Sequence, residues 1–175
     1  MIWRWPELDP VIGGLVLGGV AWASWTDVRT GFIRNHLTLS MMVAGLMLHL
    51  AYREPLVAVA GAGLAMAIHY PLWALGIEKA GDAKLIMGVG SLLGWREVAE
   101  LSAWYAIVYL PVGLLVLAAQ GRLGNLVAVA RHQAAKAAGQ DPGPAPEPTP
   151  LRTAPVIAAA TLGALVTEVR WIVPG

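Results

Sequence analysis

Long stretches without a charged residue are the feature that most constrains this chain. A helix that crosses the hydrocarbon core of a bilayer needs about 20 mostly apolar residues, and several of the uncharged runs reach that length. The runs are residues 10–26, 35–52, 55–77, 85–95, 101–121 and 153–167. Only 13% of the 175 residues are charged, about half of the ~25% that is typical of soluble domains. The pattern predicts an all-α, polytopic membrane protein, a compact bundle of about six transmembrane helices.

Two of the predicted spans are too short unaided. The fourth, at 85–95, must recruit its flanks, residues 80–84 and 96–99, to cross the bilayer. The sixth, at 153–167, must extend through two charged residues towards Trp171.

Glycines one turn apart, which let helix backbones approach closely, occur in two spans and favour a compact bundle. The pairs are Gly14 with Gly18, and Gly90 with Gly94.

Positive charges set the predicted orientation, because cytoplasmic loops carry an excess of Lys and Arg. With the N-terminus outside, eight of these residues lie inside: Arg29, Arg34, Lys79, Lys84, Arg122, Arg131, Lys136 and Arg152. Four lie outside: Arg4, Arg53, Arg96 and Arg170. The tryptophans fit two interfacial belts, with Trp3, Trp5, Trp95, Trp104 and Trp171 outside and Trp22, Trp25 and Trp73 inside. We therefore expect a multi-pass protein of the cytoplasmic (inner) membrane with both termini outside.

The segment at about 120–153 differs in character from the spans. Its first part, RLGNLVAVARHQAAK, has the pattern of an amphipathic helix on the inner surface, with Arg131 and Lys136 towards anionic headgroups. Its second part, AAGQDPGPAPEPTP, is rich in proline and small residues, which predicts a flexible cytoplasmic loop. We expect residues 1–175 to form a single transmembrane domain that carries this loop.

Composition excludes several kinds of site. The chain has no Cys, which excludes disulfides, Cys-type zinc sites and thiol catalysis. A net charge of +1, without a basic cluster that interleaves aromatic residues, gives no sign of a nucleic-acid partner. A metal site needs several ligands at one depth, so His69 is better explained as a hydrogen-bonded interior histidine, and we predict no metal and no cofactor. The region before Ala21-Trp22-Ala23 is a weak n-region, so we expect no cleaved signal peptide.

Three acidic residues border the membrane on the predicted inner side: Asp27, Glu78 and Asp82. Asp27 ends the first span and Asp82 opens the fourth, so a bundle can bring their carboxylates together. Two carboxylates that share a site hold one proton between them, and one then activates water while the other stabilises the oxyanion. The spacing leaves open that Asp27 caps its loop. It also leaves open ordinary interfacial ion pairs, of Asp27 with Arg29 or Arg34 and of Asp82 with Lys79 or Lys84.

The segments around these aspartates resemble the signature of the type IV prepilin peptidases, membrane aspartic proteases of the GxGD type. DVRTGFIRN is similar to the family's Asp-x-Arg-x-x-x-Ile-Pro-Asn, and the matching residues are Asp27, Arg29, Ile33 and Asn35. KAGDAKL is similar to Gly-x-Gly-Asp-x-Lys-Leu, and the matching residues are Gly81, Asp82, Lys84 and Leu85. GVGSLLGW and the last span, LRTAPVIAAATLGAL, also resemble the family. Arg34 replaces the usual proline, and Lys79 replaces the first glycine of GxGD.

The resemblance implies an aspartic endopeptidase that removes the leader peptide of type IV pilin-like prepilins at the cytoplasmic membrane face. Its catalytic residues would be Asp27 and Asp82, with supporting roles for Gly81, Arg29, Asn35, Lys84 and Lys79. Gly81 removes a side chain where the substrate backbone approaches and permits unusual dihedral angles. Arg29 and Lys84 are expected to anchor lipid headgroups rather than tune the aspartates, and Asn35 to cap the second span. The partners would be a prepilin or pseudopilin with an apolar N-terminal helix, and membrane lipids. Without Cys, the chain resembles the small peptidase-only members, and we predict no methyltransferase activity.

Two other functions stay open at this point. A lasting pair between Lys79 and Asp82 would disturb proton sharing, unless Glu78 holds Lys79 away, so the chain is alternatively a divergent or inactive homologue that acts as a pilus-assembly scaffold. A small ion-coupled membrane carrier would instead use the two aspartates to bind ions.

Overall fold

The fold was obtained as a computed structural model, which describes residues 9–74, 77–144, 146 and 152–166. Within those residues the chain forms seven helices and no strands. The helices are α1 Pro10–Thr30, α2 Asn35–Ala51, α3 Pro55–Ala74, α4 Ala80–Leu93, α5 Trp95–Ala119, α6 Gly124–Ala137 and α7 Ala154–Val166. α1, α3 and α5 are long and apolar enough to cross a membrane, and α2 and α7 are shorter apolar helices. The prediction of an all-α membrane bundle is confirmed.

The fourth predicted span needs a correction. α4 begins at Ala80, so the upstream flank is helical as expected, but the helix ends at Leu93. Gly94 follows with φ of 103°, a left-handed conformation that favours glycine, and residues 96–99 belong to α5. At 1.5 Å per residue α4 is about 21 Å long, too short to cross the hydrocarbon core by itself.

Several expectations fall on residues that the structure does not describe. They are the extension of the last span through Glu168 and Arg170 to Trp171, and the outer positions of Trp3, Arg4 and Trp5.

α1 has well-defined signals at both ends. The Asp9 carboxylate accepts the amide hydrogen of Val11 at 2.8 Å and so caps the helix. The Tyr52 hydroxyl also donates to Asp9, at 2.7 Å, and this hydrogen bond holds the pKa of the Asp9 carboxyl below its usual value. At the other end Gly31 is left-handed, with φ of 80°, and its amide donates to the Asp27 carbonyl. The helix therefore stops one turn after Asp27.

α4 packs closely against α2 and α3 through glycines. A Cβ on Gly61 of α3 would overlap the carbonyl oxygen of Gly90, and a Cβ on Gly45 of α2 would overlap the backbone of Ser91. The predicted close packing at Gly90 is therefore confirmed. By contrast, a Cβ on Gly14 or Gly18 of α1 would meet no atom within 4 Å among the described residues, so the pair makes no close contact with any of them.

The chain divides into two compact units. The described residues of Met1–Val108 and Arg152–Gly175 form one unit, and those of Tyr109–Leu151 form the other. The first unit holds α1 to α4, the first part of α5, and α7. In the second unit α6 has no buried residue, and it exposes Leu126 and Val127. The helix expected in the first part of the segment at 120–153 is thus confirmed, while the expectation of a single domain stays a prediction.

Candidate active site

The two aspartates of the sequence motifs line one cavity. Asp27 lies in the last turn of α1 and Asp82 in the first turn of α4, and the side chain of each is almost fully buried. The cavity has a volume of about 620 Å³. Its walls come from the ends of these helices, the α1–α2 loop, the start of α2 and the turn before α4: Asp27, Gly31, Phe32, Ile33, Arg34, Asn35, His36, Lys79, Ala80, Gly81, Asp82 and Lys84. Residues far apart in sequence are therefore brought to one site, as the motifs predict.

Asp27 is held by the start of α7. Its Oδ2 accepts the main-chain amide hydrogen of Ala154 at 3.0 Å, and both residues are buried. Ala154 is the first residue of α7, whose amide has no partner inside its own helix. The carboxylate thus satisfies a helix-end donor that burial would otherwise leave unpaired.

Asp82 is held by two donors. The Thr153 hydroxyl donates to Asp82 Oδ1 at 2.6 Å, and the main-chain amide of Lys79 donates to Oδ2 at 3.3 Å. The shorter distance lies in the range of charge-assisted O–H···O⁻ hydrogen bonds. The second is a capping interaction, in which the third residue of the helix accepts from the residue just before it.

Neither of the two residues at the start of α7 that contact the aspartates was indicated by the motifs. Thr153 and Ala154 stand immediately before Pro155, and a proline early in a helix is a start signal. That signal locates the helix end and a threonine of capping type beside it. It does not indicate that this end meets two carboxylates contributed by other helices.

Gly81 does not adopt the unusual dihedral angles that the sequence analysis allowed for it. Gly81 lies inside α4 and is not among the residues with positive φ, so it contributes no unusual dihedral angle. A Cβ there would lie 3.2 Å from the Cβ of Ile33. Its missing side chain therefore makes room for Ile33, and the two motifs pack against each other at this point.

Asn35 and Lys84 also connect the two motifs. The Lys84 ammonium donates to the Asn35 side-chain oxygen at 3.0 Å. α2 begins at Asn35 itself, and Arg34, at the N-cap position, makes no side-chain cap. The expectation that Asn35 caps the second span is therefore wrong, because its side chain faces α4 instead.

The ordinary ion pairs considered for the aspartates are not found. Among the residues that the structure describes, neither aspartate has a Lys or Arg side chain as a salt-bridge partner. The Arg29 guanidinium instead stacks over the Trp25 ring, 3.7 Å from its centroid. The lipid-anchoring role of Arg29 and Lys84 stays a prediction.

Glu78, the third acidic residue, has a different partner. Both of its carboxylate oxygens lie 3.0 Å from His69 Nδ1, and His69 Nε2 lies 3.0 Å from the Ser102 hydroxyl. The prediction that His69 is a hydrogen-bonded interior histidine is confirmed. Glu78 is therefore engaged by α3 and not by Lys79. In the described part of the chain, no three His, Asp or Glu residues cluster as a metal site would require.

The sequence profile of the family described as "Type IV leader peptidase family" matches residues 14–128, which include both aspartate motifs. The chain belongs to the type IV leader peptidase family. This is a family of proteases, and the membership agrees with the apolar helices in marking a membrane protein.

Two curated relatives of this peptidase family come from Burkholderia pseudomallei, strains 1026b and K96243. Each is named "Prepilin leader peptidase/N-methyltransferase" and is 33% identical to this chain in an alignment 101 residues long, which covers 51% of this chain and 32% of the relative. The chain thus matches about a third of the length of those relatives. No solved structure matches the chain. The matched profile ends before α7, so Thr153 and Ala154 lie outside it.

Proposed function

We propose that this chain is an aspartic endopeptidase that removes the leader peptide of type IV pilin-like prepilins, with Asp27 and Asp82 as its catalytic pair. The observation that carries the proposal is the shared cavity, which is lined by two buried carboxylates from different helices. Family membership supports the reaction class, and the names of the two relatives support the substrate class.

The proposed chemistry uses one proton shared by the two carboxyl groups. The ionised carboxylate takes a proton from a water molecule as that water attacks the scissile carbonyl carbon. The protonated carboxyl hydrogen-bonds the carbonyl oxygen, and it stabilises the negative charge that develops there. When the C–N bond breaks, a proton passes to the leaving amine, and the pair again holds a single proton. No covalent enzyme intermediate is formed.

A second cavity is lined mainly by apolar residues, and this lining supports the proposal of a substrate with an apolar helix. This cavity, of about 490 Å³, shares Asn35, Ala80 and Lys84 with the walls of the aspartate cavity. The rest of its lining is mainly large and apolar, comprising Thr38, Leu39, Met42, Met66, Tyr70, Trp73, Ala83 and Met87. Methionines adapt their shape to irregular partners. We propose that the apolar N-terminal helix of the prepilin lies here while its leader junction reaches the aspartates.

We further propose that the site faces the cytoplasm and that the N-terminus lies outside. The excess of Lys and Arg on that side supports this orientation in the inner membrane, and Arg34, Lys79 and Lys84 stand at the aspartate cavity itself. Residues 1–175 would act as one peptidase domain.

The test is cleavage of a prepilin encoded by the same genome, co-expressed with the full chain and followed by immunoblot. We expect Asp27→Asn and Asp82→Asn each to lower the cleavage rate by at least about 100-fold, since each removes one half of the acid–base pair. Asparagine has nearly the same shape as aspartate, so both variants should accumulate in the membrane like the wild type.

Asp9→Asn is the matched control. Asp9 caps the opposite end of α1, and asparagine caps a helix about equally well, so cleavage should be unchanged. Normal processing by either of the first two variants would refute the catalytic pair. A wild type that left every cognate prepilin at full length would favour one of the two other functions. Loss of pili on deletion of the gene would then indicate a scaffold, and ion-dependent uptake would indicate a carrier.

A further inference from the structure

The start of α7 contacts both aspartates through two consecutive residues. Thr153 donates its hydroxyl to Asp82 Oδ1, and Ala154 donates its main-chain amide to Asp27 Oδ2. Thr153 and Ala154 are buried, with relative exposures of 2% and 0%. These two donors are linked by only a few covalent bonds, so the separation of the two carboxylate oxygens that they hold is narrowly limited.

The local geometry of α7 leaves the Thr153 hydroxyl available for this contact. The Ile157 amide donates to the Thr153 carbonyl, which places Thr153 at the N-cap position. An N-cap threonine usually turns its side-chain oxygen to an amide of its own helix. Here the hydroxyl donates to a carboxylate on α4 instead.

We propose that Thr153, acting with the Ala154 amide, is the positioning residue that fixes the two carboxylates relative to each other. This inference rests on the proposed function of the aspartate pair. Asp27 uses Oδ2 for Ala154, and Asp82 uses Oδ1 for Thr153. The hydroxyl and the amide thereby restrain each carboxyl group through one of its two oxygens. Proton sharing and water activation depend on this alignment, because a catalytic group has to lie within hydrogen-bond reach of the proton it moves.

The test is steady-state cleavage of a purified cognate prepilin by the full chain in detergent. Thr153→Val has nearly the same volume but lacks the hydroxyl, and we expect kcat to fall about 10- to 100-fold with KM within about twofold. Thr153→Ser keeps the hydroxyl, and its kcat should return to within about threefold of the wild type. A purely structural role would not produce this dependence on the hydroxyl in kcat alone.

Thr161→Val is the matched control on the same helix. Thr161 is fully buried, and its hydroxyl bonds the Ile157 carbonyl within α7, so this substitution removes an equivalent buried hydroxyl away from the aspartates. Its kcat should equal that of the wild type. If Thr153→Val does not accumulate, Thr153→Ala is compared with Thr153→Ser, because both lack the γ-methyl and only serine has the hydroxyl.

Three outcomes overturn the inference. The first is a wild-type kcat in Thr153→Val, and the second is an equal loss in the serine and alanine variants. The third is a wild-type chain that cleaves no prepilin, which refutes the proposed function and this inference with it. The first two are read while the wild type cleaves, so failure of the inference is distinguished from failure of the proposed function.

Discussion

The first unit contains two buried acidic clusters that begin only four residues apart in sequence and are built in opposite ways. At Glu78, both oxygens face a single imidazole on α3, and the side chains of Glu78 and His69 are 2% and 1% exposed. At Asp82, the oxygens meet a hydroxyl and an amide, and the carboxylate shares a cavity with Asp27. The Glu78 carboxylate is thus buried against His69, and we call this pair the sealed cluster. The Asp82 carboxylate instead lines a cavity that also contains Asp27.

The comparison indicates that the partner of a buried carboxylate determines whether the residue serves stability or chemistry. A carboxylate bonded to histidine is satisfied and connects two elements, here α3 and the turn before α4. A carboxylate that lines a cavity together with another carboxylate is placed for the proton sharing that the proposed function requires. Loss of Glu78 should therefore be seen in stability, and loss of Asp82 in chemistry.

The largest effect on the sealed cluster is expected from Glu78→Ala. Removing one partner of a buried pair leaves His69 without its acceptor, so the free energy of unfolding should fall by about 3 kcal/mol. Thermal unfolding of the detergent-purified chain measures this loss. Glu78→Gln keeps an acceptor oxygen and should lose less. Prepilin cleavage at low temperature should persist, and its loss in folded Glu78→Ala would assign Glu78 to the chemistry instead.

A smaller loss is expected where α3 and α4 touch. Gly61→Ala would push a methyl group against the Gly90 carbonyl, and overpacking of this kind costs about 1–3 kcal/mol. A methyl group at Gly63 on the same helix would meet no atom of the described residues within 4 Å, so Gly63→Ala, as the control, should leave the unfolding temperature unchanged or higher. Equal unfolding temperatures for the two variants would contradict the close contact.

The smallest effect is expected from Lys79→Gly, which restores the glycine of the family motif. Lys79 gives Asp82 its main-chain amide, and glycine keeps that amide. A partly solvated charge contributes about 1 kcal/mol or less, so the cleavage rate should change by less than about fivefold. A large gain in rate would show that the Lys79 side chain restrains Asp82 in the wild type, as His69 restrains Glu78.

Most of the fold follows from the uncharged runs, because helix length and the bilayer select the same segments. The elements at 10–30, 35–51, 55–74 and 154–166 each lie on a predicted span. The fourth span was less predictable. Its end depends on the left-handed Gly94 and on close contacts with α3, and neither is visible in a pattern of hydropathy.

The candidate site was predictable only where a motif carried it. The motifs indicated Asp27 and Asp82, and the cavity contains both. Thr153 could not be identified in this way, since nothing near it in sequence specifies a contact with Asp82, 71 residues away. Glu78 was recognised as an acidic residue at the membrane border, but its partner His69 depends on how α3 packs against the turn before α4.

The position of α7 has a consequence for how the smallest working piece of such a chain is defined. The match to the family profile ends at residue 128, and a fragment cut there would retain both motifs and both aspartates. It would nevertheless have lost the two donors that hold those side chains, which arrive 25 residues later along the chain. With Thr153 and Ala154 positioning the aspartates as proposed, a minimal peptidase built from this protein has to extend through the last helix, or supply that helix as a separate peptide.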